Sequence, residues 1–518
     1  MAKKVNLDAL IPREDFDVKD SISSSARNIN TIGVRDLEYQ KSFFFQALRK
    51  PDFQRETNEW DQSKIASLIE SFLDGDLIPA VILWKSSGGY TFVIDGAHRL
   101  SALAAWINDD YGDGPISKEF YEGIIPTEQI ETSDKARRII RREIGLFSDY
   151  ELAIKNPEKV KPEIVERAMN IGSLAIQVQW VEGDAQKAEA SFFKINQKAT
   201  PIDKTELKLL ESRRKPNGIA TRAILRSGKG HKYWSNFDPE YQEDVQALAS
   251  EINDILFKPS FKTPIKTLDL PIGGKNFSSS GQMLILDFVN NVNDIDPKSD
   301  MEDDITGEYT VKILKKCLKV ARLINSNHAS SLGLHPSVYF YSKEGRYKQA
   351  SFSIIVSFVL ELRKRKAFDK FTEVRELFES ALLKYDDLVR QINRKYRTSS
   401  AALKHVVFLY FMLIDKLQST QNIDRAVEEI IQSTEFNYLT TRNDSEQQSL
   451  GLDFSKDQKS EVFIKEAIKN ATKCKICRGL IHMNSISIDH KERKRDGGTA
   501  AIDNGQVTHP YCNTGYKN

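Results

Sequence analysis

Two pairs of metal-type ligands bracket the C-terminal stretch of this chain: Cys474-x-x-Cys477 and His509-x-x-Cys512. A C-x-x-C pair can present two sulfurs to one ion, and a second pair at H-x-x-C spacing completes a four-ligand set of the kind that closes a tetrahedral Zn²⁺ site. Residues 461–518 are too few to bury a generous apolar core, so a structural metal is expected to hold them together. The chain has four cysteines. Three of them fall in this stretch, an odd number that does not suit disulfides. The N-terminus, "MAKKVNLDALIPRED", is basic but has no apolar signal region, which predicts a reducing, cytoplasmic setting where metal is the better reading. The remaining cysteine, Cys317, lies in "VKILKKCLKV" and reads as inert core.

Between the two ligand pairs runs "SISIDH", whose alternation predicts a strand that delivers Asp489 and His490 at its end. "DGG" and "DNG" supply turn chemistry, and "THPYCN" reads as the start of a short helix. Strand, loop, strand and short helix around one metal is the ββα-metal layout. The chain as a whole is nearly neutral, with 75 Lys and Arg against 73 Asp and Glu. Its C-terminal stretch is locally basic, with Lys491, Arg493, Lys494 and Arg495 in one knot. A lone charge run is as often a solvated face as a binding surface, but this one adjoins a metal-type constellation.

In this arrangement the sequence resembles the HNH endonuclease family. The matching residues are Cys474, Cys477, the Asp489-His490 pair, Gly497-Gly498, Asn504 and "HPYCN" ending at Asn513. The chemistry suits the residue types. Phosphodiester cleavage needs an activated water, positive charge on the phosphate and stabilisation of the leaving oxygen. The resemblance implies that His490 is the general base and that Asp489, with Asn513, holds Mg²⁺ or Mn²⁺. It also implies that Asn504 fixes the loop and orients His490, and that the basic knot meets phosphates. His509 can either complete the zinc set or ligate the catalytic ion; zinc is preferred, because that site otherwise has only three cysteines. One departure stands out: the family commonly has a lysine soon after "CN", whereas here Gly515 falls in the helix and Lys517 comes one position late.

The first part of the chain reads as mixed α and β. "AVILWKSSGGYTFVIDG" predicts two strands around a Ser-Ser-Gly-Gly turn, "HRLSALAAW" a helix and "SLAIQVQWVEG" a further strand. The stretch from Ala185 to Arg214 predicts a helix, a Pro-containing break and a second helix opening near Asp203. From Tyr241 to Leu439 the period becomes that of helices, including "TVKILKKCLKVARLI", "FTEVRELFESALLKYDDLVRQINRKY" and "LKHVVFLYFMLIDKL". The apolar runs are too short to span a bilayer. Residues 440–460 are polar and read as a linker.

"VIDGAHRLSAL" carries the second signal: a strand ending at Asp95, a turn at Gly96, and His98 and Arg99 opening a helix whose N–H groups and guanidinium suit an anion. With Gln54-Arg55, Ile78-Pro79, and Phe192 with Asn196, it resembles the ParB/sulfiredoxin-like domain of GmrSD-type and SspE-type defence proteins. Ala97 stands where that family has glutamine, which removes an amide. The resemblance implies that the domain binds, and hydrolyses, GTP or ATP and senses modified DNA, with Gln54, Arg55, Asp95, Gly96, His98, Arg99 and Asn196 at the site. No G-x-x-x-x-G-K-[ST] motif is present, and "RSGKGHK" reads as an ordinary surface loop.

The expected fold class is a multidomain α+β chain: a ParB/sulfiredoxin-like α/β domain over 1–240, an all-α region over 241–439, a linker over 440–460, and a ββα-metal HNH domain with structural zinc over 461–518. The expected activity is nucleotide-regulated, metal-dependent DNA cleavage in a bacterial anti-phage or modification-dependent restriction system. DNA and a nucleoside triphosphate are the expected partners, with no membrane, and a homo-oligomer is compatible with the sequence. Two other readings compete: a nucleotide-dependent DNA-binding regulator whose zinc ribbon does not cut, and an autonomous nuclease on a binding scaffold.

Overall fold

The computed structural model describes residues 4–516, apart from 15, 17–28, 53, 55, 124, 199–207, 210–211, 230, 261–262, 275–278, 297–300, 397–398 and 442–452. The expected helix start near Asp203, the middle of the expected linker, Arg55 and Lys517 lie outside the described residues. The chain divides into two units. The first takes in residues 1–213 and 229–233, the second 214–228 and 234–518.

The first unit is built on a mixed six-stranded sheet. Its strands are β1 (Arg13–Glu14), β2 (Thr31–Gly33), β3 (Leu48–Pro51), β4 (Val81–Lys85), β5 (Thr91–Asp95) and β6 (Ala175–Trp180), in the order β1-β3-β5-β4-β6-β2. β4 and β5 form the antiparallel hairpin expected around the Ser-Ser-Gly-Gly turn, where Gly89 takes φ 87°. β3 runs parallel to β5, and β6 parallel to β4. The two-residue period of the strands feeds two cores. Val81, Leu83 and Val93 join Ile65, Ile69 and Phe72 of the helix Gln62–Leu73 and Leu100 and Leu103 of the helix Ala97–Ile107. Trp84, Phe92 and Ile94 instead meet Phe16 together with Ala188 and Phe192 of the helix Ala185–Lys198. Both faces of the sheet are therefore covered, and Asp95 emerges at the end of the central hairpin.

The second unit is helical except for its C-terminal portion. The helix Glu308–Ile324 buries Val311, Leu314, Leu318 and Ala321 at helical spacing, with Cys317 fully enclosed among them. Burial pushes the Cys317 thiol up to about 12, as an inert core sulfur requires. "HVVFLYFMLI" lies within the helix Ser399–Thr420, and among the described residues no helix is long and apolar enough to cross a membrane. The long periodic stretch after Phe368 forms three helices rather than one: Phe368–Glu373, Arg375–Lys384 and Asp387–Tyr396. Val374 and Tyr385 leave helical geometry at the joints, so each segment turns its own apolar side inward, with Phe371, Phe378 and Ile392 fully buried. The end of the expected linker is helical too. Helix Lys456–Lys469 starts under a Ser455–Gln458 capping box and buries Ser460 and Ile464.

The last strands, β7 (Ser487–His490) and β8 (Gly505–Thr508), pair antiparallel with Asp489 opposite Gln506 and His490 opposite Gly505. A short helical turn follows, widening over Cys512–Tyr516. This element is sewn to the helical block. Tyr511 N donates to Ser331 O at 3.0 Å and Tyr511 Oη to Asp369 at 2.8 Å. Thr514 Oγ1 donates to Ala329 O at 2.7 Å.

Candidate functional site

Cys474 and Cys477 sit on a tight turn closed by short-range bonds. Cys474 N donates to Gly479 O at 2.9 Å, Arg478 N to Cys474 O at 3.0 Å, and Ile476 N to Cys474 Sγ at 3.4 Å. His509 and Cys512 arrive from the end of β8 and the terminal helix. The four ligand atoms lie within 4.8 Å of one another, and all four residues are buried. His509 turns Nδ1 towards Cys477 Sγ at 3.3 Å and Cys512 Sγ at 3.9 Å, while Nε2 lies 3.0 Å from Leu480 O. An Nε2–H donated to that carbonyl leaves Nδ1 as the lone-pair nitrogen facing the sulfurs. Burial, and then the Arg375 charge, hold His509 below its ordinary value, so it stays neutral as a ligand must.

Burial pushes the Cys477 thiol up, the neighbouring sulfurs and burial push the Cys512 thiol up, and the three sulfurs crowd one another. Three sulfurs in contact cannot all ionise unless a cation sits among them. Three sulfurs and one imidazole nitrogen at this spacing fit a soft or borderline divalent ion.

Asp489 is buried, and its Oδ2 accepts from Gln506 Nε2 at 2.8 Å across the β7–β8 ladder. His490, the last residue of β7, is half-buried. Asn513 donates from Nδ2 to Ser487 Oγ at 2.8 Å and to Ile488 O at 3.3 Å, fastening the terminal helix to the strand that carries Asp489 and His490. Beyond His490 the chain makes a loop that Asn504 ties from inside. Its Oδ1 accepts from Glu492 N at 2.8 Å, and its Nδ2 donates to Thr499 O at 2.8 Å and Glu492 O at 3.2 Å. Lys491 N closes the same loop on Asn504 O at 2.8 Å. Gly497 takes φ 98°, and a Cβ on Gly498 would fall 1.9 Å from Glu492 O. No other residue fits there. Lys491, Lys494 and Arg495 are exposed on this loop and Arg493 is half-buried.

In the first unit, the strand–turn–helix expected at "VIDGAHR" forms. Gly96 takes φ 100°, and a Cβ there would meet Val81 Cγ2 at 2.9 Å and Arg99 Nη2 at 3.1 Å. Arg99 Nη2 bonds Asp95 Oδ2 at 2.9 Å and Ala80 O at 3.2 Å, so the expected acid–arginine pair is in contact. The ring of His98 lies 5.6 Å from that of Trp60. Gln54 is buried and donates from its N to Pro51 O at 2.9 Å; among the described residues its Oε1 has no hydrogen-bond partner. Phe192 is buried on the helix that also carries Asn196.

Two family models match the chain: the GmrSD restriction endonuclease N-terminal domain over residues 35–211 and HNH endonuclease over residues 474–518. The chain joins a GmrSD-type N-terminal domain to an HNH endonuclease domain. No curated protein and no solved structure matches it.

The HNH match spans the metal cluster, β7, the Asn504-tied loop and Asn513. The GmrSD match spans Gln54, the Asp95–Arg99 turn and Asn196. Several residues at these sites carried no local sequence signal. In the first unit, N-terminal to the matched residues, Arg13 donates from Nε to Gln54 O at 3.2 Å and pairs with Asp8. Lys50 Nζ reaches Asp8 Oδ1 at 2.8 Å and Thr57 Oγ1 at 3.0 Å. Two buried cations thus meet on one aspartate beside Gln54. In the HNH domain the missed residue is Gln506; the alternation of β8, laid against that of β7, would have paired it with Asp489.

Proposed function

We propose that this chain is a restriction-type DNA endonuclease whose HNH domain cuts phosphodiester bonds and whose GmrSD-type domain binds a nucleoside triphosphate and senses the state of the DNA. One observation carries the reading. A buried carboxylate, Asp489, and the imidazole of His490 end the same strand, with Asn513 bonded to that strand's backbone and the Cys474/Cys477/His509/Cys512 cluster at the far ends of the β7–β8 pair.

In this reading His490 takes the proton of the attacking water as the phosphorus–oxygen bond on the far side breaks. Asp489 and Asn513 offer hard oxygens fit for Mg²⁺ or Mn²⁺, which when bound supplies positive charge at the phosphate and the leaving oxygen. Asn504 fixes the loop that follows His490. Lys491, Arg493, Lys494 and Arg495 receive neighbouring phosphates and set the strand's position without reading its sequence. The Cys₃His cluster is assigned to zinc as a structural centre, with His509 among its ligands.

The GmrSD-type domain, proposed as ParB/sulfiredoxin-like, would take GTP or ATP near Gln54, Arg55, Asp95, Gly96, His98, Arg99 and Asn196, and the bacterial cytoplasm is the proposed setting. The buried Gln54 Oε1, which has no hydrogen-bond partner among the described residues, supports a polar ligand there. The test is a nuclease assay on modified and unmodified phage DNA, with Mg²⁺ or Mn²⁺ and with or without GTP or ATP. Cleavage lost in His490→Ala, with DNA binding and zinc content kept, supports the reading. Wild-type protein that binds DNA but cuts none of these substrates refutes it and leaves a DNA-binding regulator.

A further inference from the structure

Arg375 is an arginine with 1% of its surface exposed, at the start of the helix Arg375–Lys384 in the helical block, far in sequence from the Cys₃His cluster. Its Nε bonds Glu379 Oε1 at 2.7 Å, and its Nη2 donates to Gly333 O at 2.9 Å. Its Nη1 bonds Leu332 O and lies 3.3 Å from His509 Nδ1, the nitrogen that faces the sulfurs. Glu379, also buried, accepts on Oε2 from Leu480 N at 3.0 Å and on Oε1 from Tyr339 Oη at 3.1 Å. The guanidinium therefore sits against a ligand, and its carboxylate partner holds the backbone of the C-x-x-C turn; Nδ1 has one lone pair, so an ion bound there would take it and leave Nη1 bonded to Leu332 O with its charge beside the sulfurs.

The surrounding backbone is shaped to admit this contact. A Cβ on Gly479 would fall 2.4 Å from Arg375 Nε. One on Gly333, at φ 60°, would fall 2.5 Å from His509 Cδ2. Two glycines from different parts of the chain thus clear the space in which the guanidinium and the imidazole meet. Burying a cation is costly unless its charge is matched nearby; Glu379 matches it on the Nε side at 2.7 Å, while the Nη1 side faces the Cys₃His cluster. A divalent ion held by three thiolates and a neutral imidazole keeps a net negative charge, and that charge is enclosed here.

We propose that Arg375 is the counter-cation of the Cys₃His centre. With Glu379, it makes metal retention a property of the helical block rather than of the C-terminal element alone. The proposal rests on the reading of the cluster as a zinc-type site. Groups that orient and neutralise metal ligands from outside typically cost about 10- to 100-fold in metal affinity when removed.

The experiment uses the full chain loaded with zinc and measures metal release to a chromogenic chelator for wild type, Arg375→Lys and the double variant Arg375→Gln/Glu379→Gln. The double variant removes both charges together, so neither is left buried alone. The double variant is expected to release zinc about 10- to 100-fold faster than wild type, with Arg375→Lys between the two. Equal release from all three, or equal acceleration in both variants, overturns the role of the charge. Where the variants do not fold, hydrogen exchange on wild type before and after stripping the metal decides. Loss of protection over 331–334 and 375–384 supports the coupling, and unchanged protection refutes it. Wild-type protein that binds no zinc at all defeats the metal reading itself, a different result from any of these.

Discussion

Replacing Asn504 by alanine is the sharpest probe of how the loop after His490 is held. The side chain makes three bonds inside that loop, to Glu492 N, Glu492 O and Thr499 O, at 2.8–3.2 Å. A hydrogen bond of this kind contributes about 0.5–1.5 kcal/mol net. Asn504 is half-buried, so water recovers part of the loss. Taken together, the three bonds favour the closed loop by about 1–3 kcal/mol, a factor of about 5 to 150 in the ratio of closed to open loop. Single-turnover nicking of supercoiled plasmid by Asn504→Ala should slow by up to that factor, while zinc content and melting temperature stay near wild type. Asn504→Asp is a stricter control. It keeps an acceptor for Glu492 N but turns a carboxylate oxygen against the carbonyls of Glu492 and Thr499, so it should be at least as slow as alanine. A folded, zinc-loaded Asn504→Ala protein that cuts at the wild-type rate would refute the argument that this side chain sets the geometry at His490.

Other outcomes follow from the same contacts. His490→Ala should lower cleavage by about 10²- to 10⁴-fold, read in the same plasmid assay, with DNA affinity unchanged by gel shift. Cys477→Ser should reduce bound zinc, measured by elemental analysis, and lower the melting temperature of the second unit. Asp95→Ala or Arg99→Ala breaks the pair beside Gly96 and should change nucleotide turnover or target choice; cleavage indifferent to both would mean an autonomous nuclease. His482 is fully buried and its imidazole is lowered to about 4 by burial, although Asp269 pulls the other way. An unfolded chain takes up that proton near 6.5 and the folded one does not. Stability should therefore fall as pH drops from about 6.5 towards 4. Replacing His482 with asparagine should flatten that slope in chemical-denaturation curves; an unchanged slope would assign it to other groups.

Local periodicity made much of the fold legible. The β4–β5 hairpin, the Asp95–Gly96–Arg99 turn and the "SISIDH" strand each depend on neighbours a few residues away, and each forms where the pattern placed it. The Cys₃His cluster was legible from spacing because two short pairs need only be brought together once. The contacts of Arg375 with the cluster were not, since no periodicity connects residue 375 with residue 509. The joints at Val374 and Tyr385 were hidden for a related reason: helical spacing continues across them, and tertiary burial decides where the chain turns. The polar composition of 440–460 suggested a tether, yet a capping box at Ser455 and one buried face are enough to carry helix up to the C-x-x-C turn. Asp8, Arg13 and Lys50 carry no local pattern; only the fold brings Arg13 and Lys50 onto Asp8, with Arg13 also on Gln54 O.

The anchoring of Tyr511 and Thr514 to the helical block limits what can be moved. Residues 474–518 carry the expected reactive groups, but cutting them out would leave behind Ser331, Asp369, Arg375 and Glu379, to which they are bonded. A graft of that cassette onto a foreign protein would therefore start without its foundation, and the smallest portable cutter from this chain has to bring the helices along.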